Sequence, residues 1–325
     1  MDKSKNAILG ATIISIAAIL WGFDGVVLTP QLYNLDLDFV VFTLHFIPFL
    51  LMNVLFYNRY GELKGLKRSE LLSLLLVALF GGVIGTLSIV KALFLVNFQS
   101  LSIVVLLQKL QPIFAIFLAV IFLREKLRKR YIFWAIVALG AGYFLTFGDS
   151  APNYNADDKN FLAAVYALLA AFSFGSATVF GKKVMNKLSF SSTTFFRYAF
   201  TSLIMFIVVL VNGSFMEFQK ATFNNWIVIV FISLTTGSGS MMLYYYGLKK
   251  VKAIIATIAE LFYPISAVFF DFWVNDNLLS SIQIIAAVLM IVAIINLNVD
   301  NARAIAKIKI KLKNRREKRA KSLRS

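Results

Sequence analysis

The residues with chemistry to offer sit where apolar side chains belong. The stretch "LLQKLQP" (106–112) sets Gln108, Lys109, Gln111 and Pro112 inside one apolar run. The stretch "IAELFYP" (258–264) sets Glu260, Tyr263 and Pro264 inside another, with Thr257 just ahead of it. An ionisable group at bilayer depth costs a few kcal/mol or more, so it needs a partner or a function. Proline has no N–H to give to the carbonyl four residues back. Pro112 therefore predicts a released carbonyl at Gln108, and Pro264 one at Glu260. Such breaks are tolerated at membrane depth only against protein or a wet cavity. Helical spacing puts Thr257, Glu260, Tyr263 and Pro264 on one face. Gln108, Gln111 and Pro112 share another, with Lys109 about 100° around from Gln108.

Lys109 lies about 14 Å from the start of its run, too deep for easy snorkelling. Two roles stay open for it: an ion pair with Glu260, or a place in a substrate cavity facing an anionic group. Glu260 is the first candidate for proton coupling, its alternative being a fixed partner for Lys109. Asp24, in "WGFDG", is a second candidate for the cavity and for coupling, against a role at a helix end. His45, the single histidine, is a third for coupling, against a hydrogen-bonded core position. Lys91, Arg197 and Asp271 lie nearer the ends of their runs and are expected to reach toward water.

Other chemistry is excluded. With no cysteine and one histidine, disulfides, thiolate metal sites and most catalytic triads cannot be built. There is no Walker A loop, HExxH or metal-ligand cluster. The chain reads as a non-enzyme without metal or cofactor, and any transport it performs is facilitated or ion-coupled.

The elements that position these residues follow from hydropathy. Of 325 residues 59% are hydrophobic and 15% charged, with a mean hydropathy of +0.78; a soluble domain has about 25% charged residues. The apolar residues fall into runs near 8–28, 39–56, 71–94, 100–123, 131–147, 161–180, 192–211, 226–246, 253–273 and 279–296. Each is about long enough to cross a ~30 Å hydrocarbon core, which predicts an all-α integral membrane protein of ten transmembrane helices. The first run follows Lys3 and Lys5 and reads as an uncleaved span. Of the 33 Lys and Arg, 28 fall on one side of this arrangement, the side of both termini. By the positive-inside rule both termini are cytoplasmic, in the plasma (cytoplasmic) membrane. The net charge of +17 is concentrated in a basic tail, 301–325, which suits anionic lipid headgroups and not nucleic acid.

A shift of 152 residues overlays the two halves: Gly85 on Gly237, Ser88 on Ser240, and Gln111-Pro112 on Tyr263-Pro264. Five spans per half is odd, so the second half enters the membrane inverted, and aligned loops carry opposite charge bias. The expected organisation is two inverted-topology five-helix repeats, 1–148 and 161–300, with an extracytoplasmic linker at 149–160. Such repeats place a transport site between them near the midplane. Gly81/Gly85, Ser233/Gly237, Ala18/Gly22 and Ala171/Gly175 are small residues four apart, predicted to pack helices closely.

With "QPIFAIFLAVIFLREKL" (111–127) and its second copy "YPISAVFFDFWVNDNLL", the chain resembles the drug/metabolite transporter superfamily, EamA type. Asn277 stands where that family often has the glutamate found here at Glu125. "FFRYAF" (195–200) is similar to the family's aromatic-arginine signature, and "TLHFIP" (43–48) is its first-half copy, with His45 for arginine. The resemblance covers 8–298 and implies a solute carrier with a cavity between the halves, commonly an exporter of amino acids or other metabolites. Lys109 against Glu260 or Asp24 favours a zwitterionic solute, with amino acids the simplest. The competing readings are a carrier of drugs or lipid-linked solutes, a channel, or a membrane scaffold using its tail. As a carrier the chain would act as a monomer or homodimer.

Overall fold

A computed structural model describes residues 3–95, 104, 107–148, 158–275, 278 and 280–296. The helical segments run, in chain order, α1 (Lys5–Leu32), α2 (Leu37–Gly65), α3 (Arg68–Leu95), α4 (Gln111–Leu123), α5 (Lys129–Phe147), α6 (Phe161–Val184), α7 (Phe190–Asn212), α8 (Phe223–Lys250), α9 (Ala253–Val274) and α10 (Ser281–Asn296). Seven are long and apolar enough to cross a membrane: α1, α2, α3, α6, α7, α8 and α9. The protein is an all-α integral membrane protein, because helices satisfy every backbone group internally where no water can. The start of the fourth predicted span, most of the linker, Asn277 and the basic tail lie outside the described residues.

The helix pairing has a two-fold character. α1 packs on α8 and α9, and α6 packs on α3 and α4; α2 packs on α7, and α4 on α9. Exchanging α1–α5 with α6–α10 maps this set of pairs onto itself. The small residues make it possible. A Cβ at Gly22 would lie 2.1 Å from Ser266 Oγ and 2.9 Å from the Ala267 backbone nitrogen, on α9. At Gly175 it would meet the Ala115 nitrogen at 3.0 Å and the Gln111 carbonyl at 3.1 Å, on α4. These are symmetry-related contacts, and both are backbone-close, as the spacing predicts.

Two features are absent from the sequence pattern. α1, α3 and α8 each contain a π-helical stretch, at Asp24–Leu28, Val77–Ile84 and Ser233–Gly237. The shift of 152 carries part of the α3 stretch onto that of α8, so the bulges are themselves repeated. Such bulges are rare and collect at functional sites. The helix breaks also differ from expectation. The turn in the ninth span is at Glu260–Leu261, but the Glu260 carbonyl is not left open: it accepts the Tyr263 N–H at 2.9 Å. A tighter i→i+3 bond thus takes the place of the one that Pro264 cannot give. The fourth span turns at Lys109–Leu110, where Leu110 N–H donates to the Leu107 carbonyl at 3.1 Å and Ile113 N–H to that of Leu110 at 2.9 Å.

Glu125, just beyond α4, has a structural role. Its carboxylate accepts the N–H groups of Ala253 and Ile254 at 2.9 and 3.2 Å, capping α9. The cap satisfies two donors at a helix N-terminus and complements its dipole. Glu125→Ala is expected to destabilise the protein by about 1–2 kcal/mol. Chemical or thermal unfolding of purified protein in detergent would register this; unchanged stability would contradict the capping role.

Candidate functional site

The site centres on Glu260, at the turn between the two helical pieces of α9. The seven residues before it, Ala253–Ala259, are all buried, while Glu260, Phe262 and Tyr263 are partly exposed. The first piece of α9 packs on α1, α4 and α6, and the second on α1. Gln111 Nε2 donates to Glu260 Oε2 at 2.6 Å, and the Tyr244 hydroxyl donates to Oε1 at 2.8 Å. The Thr178 hydroxyl lies 2.7 Å from the Tyr244 oxygen and 3.5 Å from Oε1. Four helices, α4, α6, α8 and α9, thus converge on one carboxylate through neutral donors. Hydrogen bonds to an ionised group are about twice as strong as neutral ones, and a buried carboxylate lacking them would be strongly disfavoured.

One aromatic ring packs on a member of this cluster, and three more pack together on α3, α4 and α6. Trp21 packs on Tyr244 with ring centroids 5.4 Å apart, and Phe172 meets Phe80 and Phe114 edge-on at 5.7 and 5.8 Å. Trp21, Phe80, Phe114 and Phe172 are all partly exposed. The arrangement offers flat apolar faces next to a hydrogen-bonding centre, the usual composition of a small-molecule site.

The predicted residues divide. Gln111 and Glu260 are brought together across the two halves, and Pro112 and Pro264 lie buried beside them. Asp24 opens the π-stretch of α1, where its Oδ1 accepts the Thr29 hydroxyl at 3.0 Å. The next residue, Gly25, leaves room for the Tyr263 hydroxyl, which would stand 3.3 Å from a Cβ there. Asp24 and Tyr263 therefore form a second polar spot one turn from Glu260. Gln108 is partly exposed on the approach to the fourth-span turn. Thr257 is buried with its hydroxyl unbonded, within the packed first piece of α9. His45 hydrogen-bonds the Val41 carbonyl at 2.8 Å and lies 5.3 Å from the Tyr198 ring, on α2 and away from Glu260.

Lys109 is not paired with Glu260. It is buried, and its ammonium donates to the Gly142 carbonyl on α5 at 3.3 Å. Its stem runs against Gly142, which also faces Met290 of α10. Among the described residues no ion pair joins it to Glu260. The 100° that separate Lys109 from Gln108 on the helix turn it toward α5 and α10.

Of the remaining contributors only Thr178 was not singled out from the sequence; Tyr244 was a candidate for shaping the cavity, and Arg197 lies outside the cluster. Thr178 stands three residues after the packing glycine Gly175, on the α6 face that meets α4, and this spacing was the available signal. Tyr244 belongs to a tyrosine run that also fits an interfacial belt. Arg197 was expected to reach toward water but is buried, 7% exposed, between α3, α7 and α8.

The fold and this site define a membrane transporter of small metabolites. The sequence profile of the EamA-like transporter family matches residues 8–147 and again 161–299. The chain belongs to that family, within the drug/metabolite transporter superfamily. It is similar to the "Riboflavin transporter ImpX" of Fusobacterium nucleatum subsp. nucleatum, 51% identical over 294 residues, covering 90% of this chain and 98% of that protein. A solved structure titled only "Crystal structure of protein" shares the fold, with a TM-score of 0.71 at 15% identity, covering 90% of this chain and 98% of that one.

Gln111→Leu would leave Glu260 Oε2 without its closest donor in a poorly solvated site. Such a loss costs about 1–3 kcal/mol, so solute binding is expected to weaken about tenfold while the protein stays folded. Titration of the variant against wild type by ligand-induced thermal stabilisation would check this.

Proposed function

We propose that this chain carries riboflavin across the membrane, with the Glu260 cluster as its binding centre. The observation that carries this reading is the 51% identity, over nearly the whole of both chains, to a protein named as a riboflavin transporter. The chemistry of the site agrees with it. Riboflavin is uncharged near neutral pH, with a flat three-ring system and a chain of hydroxyls. Trp21, Tyr244 and the cluster of Phe80, Phe114 and Phe172 offer faces and edges to a planar ring. Glu260, Gln111, Tyr244 and Thr178 offer acceptors and donors to hydroxyls and to the polar ring edge.

The amino-acid reading needed opposite charges facing one another in a single cavity. Lys109 bonds the Gly142 carbonyl of α5, which lends that reading no support. A flavin needs no such pair.

In this reading the two halves, 1–148 and 161–300, are inverted repeats that rock around the site between α4 and α9. The two successive matches to the family profile and the exchange symmetry of the helix pairs support that organisation. The charge asymmetry of the sequence supports cytoplasmic termini and a tail lying against anionic lipid.

Purified protein in liposomes is expected to take up riboflavin saturably, without measurable flux of amino acids. Glu260→Gln keeps the shape and removes the charge, and is expected to lower riboflavin flux at least tenfold with the thermal midpoint within a few degrees of wild type. Wild-type flux in that variant, or amino-acid flux in its place, would overturn the reading.

A further inference from the structure

Arg197, on the second turn of α7, is the buried cation that the binding cluster does not use. Its Nη2 donates to the Gly81 carbonyl at 2.7 Å. Its Nη1 donates to the Tyr245 hydroxyl at 3.1 Å and lies 3.2 Å from Met241 Sδ. Its Nε is buried without a partner, and among the described residues no carboxylate pairs with it. A guanidinium enclosed by helices and satisfied by a carbonyl and a phenol is costly, so it must hold something that a neutral side chain cannot.

What it holds is visible from both ends. Gly81 belongs to the π-stretch of α3, where the ordinary bonding pattern is interrupted. One turn beyond Arg197, Thr201 donates to the Ala78 carbonyl of the same stretch at 3.3 Å. Gly81 and Gly82 permit the approach: a Cβ at Gly81 would lie 3.1 Å from the guanidinium carbon, and one at Gly82 2.1 Å from Thr201 Oγ1. The repeated π-stretch in α8 is held otherwise. There Ser238 Oγ donates to the Ser233 carbonyl at 2.6 Å, and Ser240 to that of Thr236, both within α8. His45, the counterpart of Arg197 under the 152-residue shift, bonds its own helix. One bulge is thus self-supported, and the other is clamped from outside by Arg197.

The other arm of the clamp reaches α8 one residue from the binding centre. Tyr245 is fully buried against Gly181, where a Cβ would meet its ring at 2.9 Å. Its neighbour Tyr244 is the donor to Glu260 Oε1.

We propose that Arg197 is a positioning residue for the Glu260 site, bridging the α3 bulge and Tyr245 so that α8 aims Tyr244 at Glu260. This rests on the reading of Glu260 as the binding centre. The test uses full-length protein in lipid, first without solute. Infrared spectroscopy assigns the Glu260 carboxyl stretch as the band lost in Glu260→Gln. That band is expected to shift in Arg197→Lys, whose single ammonium cannot span both acceptors, and in Tyr245→Phe, which removes the α8 arm alone. An unmoved band in a folded Tyr245→Phe variant would overturn the proposal even if Arg197→Lys fails to fold. Riboflavin binding gives the second reading. Tyr245→Phe is expected to raise Kd about tenfold in the wild-type background and less than twofold in Glu260→Gln, since coupled residues are non-additive. Equal losses in both backgrounds would overturn the proposal. Absence of riboflavin binding to wild type would overturn the assigned substrate, while the band shift still decides the role of Arg197.

Discussion

A carboxylate in the middle of a membrane protein must be surrounded by donors, and Glu260 sets that constraint here. Its oxygens draw Gln111 from α4 and Tyr244 from α8, with Thr178 of α6 behind the tyrosine. These residues come from both halves of the chain. The bond between Gln111 and Glu260 joins the two interrupted spans, so the turn before α4, the turn in α9 and the carboxylate form one unit. Each of the four helices must approach closely for its donor to reach. The glycines at 22 and 175, which bring α1 to α9 and α6 to α4, serve that approach. Packing by small residues is the main attraction available between helices in lipid, which supplies no hydrophobic drive of its own.

The sequence was most legible where a single residue violates its surroundings. Glu260 stands out in an apolar run, Pro264 marks the turn beside it, and the repeat points back to Gln108 and Pro112 in the fourth span, one turn from Gln111. Hydropathy then gave the helical frame, because membrane crossing imposes a length on each apolar segment separately. What the sequence could not supply was the identity of the neighbour at a given angle around a helix. Lys109 is 100° from Gln108, and only the position of α5 decides that this angle leads to the Gly142 carbonyl. Arg197 misled for a related reason. Its distance from the helix end allows snorkelling, but the α3 bulge holds a carbonyl within reach and α8 closes over it. The bulges depend on such tertiary partners, and no local pattern announces them.

Pseudo-symmetry explains the frame but not the site. Under the shift of 152, Gln108 corresponds to Glu260 and His45 to Arg197, so the two halves place different chemistry at equivalent positions. Glu260 and the Arg197 clamp on the first-half bulge both belong to the second half.

The two bulges then differ in a way that bears on motion. The α8 bulge carries its own serine hydroxyls and can keep its shape as α8 moves. The α3 bulge is satisfied by Arg197 and Thr201 of α7, so α3 and α7 are bound to move together or to lose those bonds. Losing them would strand a guanidinium and backbone carbonyls in a medium without water, at a cost of several kcal/mol. Movement is therefore cheaper at the less strongly tied contacts, such as the long Thr178 bond to Glu260, than at the clamp. On this argument α3 and α7 form one rigid unit of the bundle, and Glu260 lies where α8, anchored to that unit through Tyr245, meets the turn of α9.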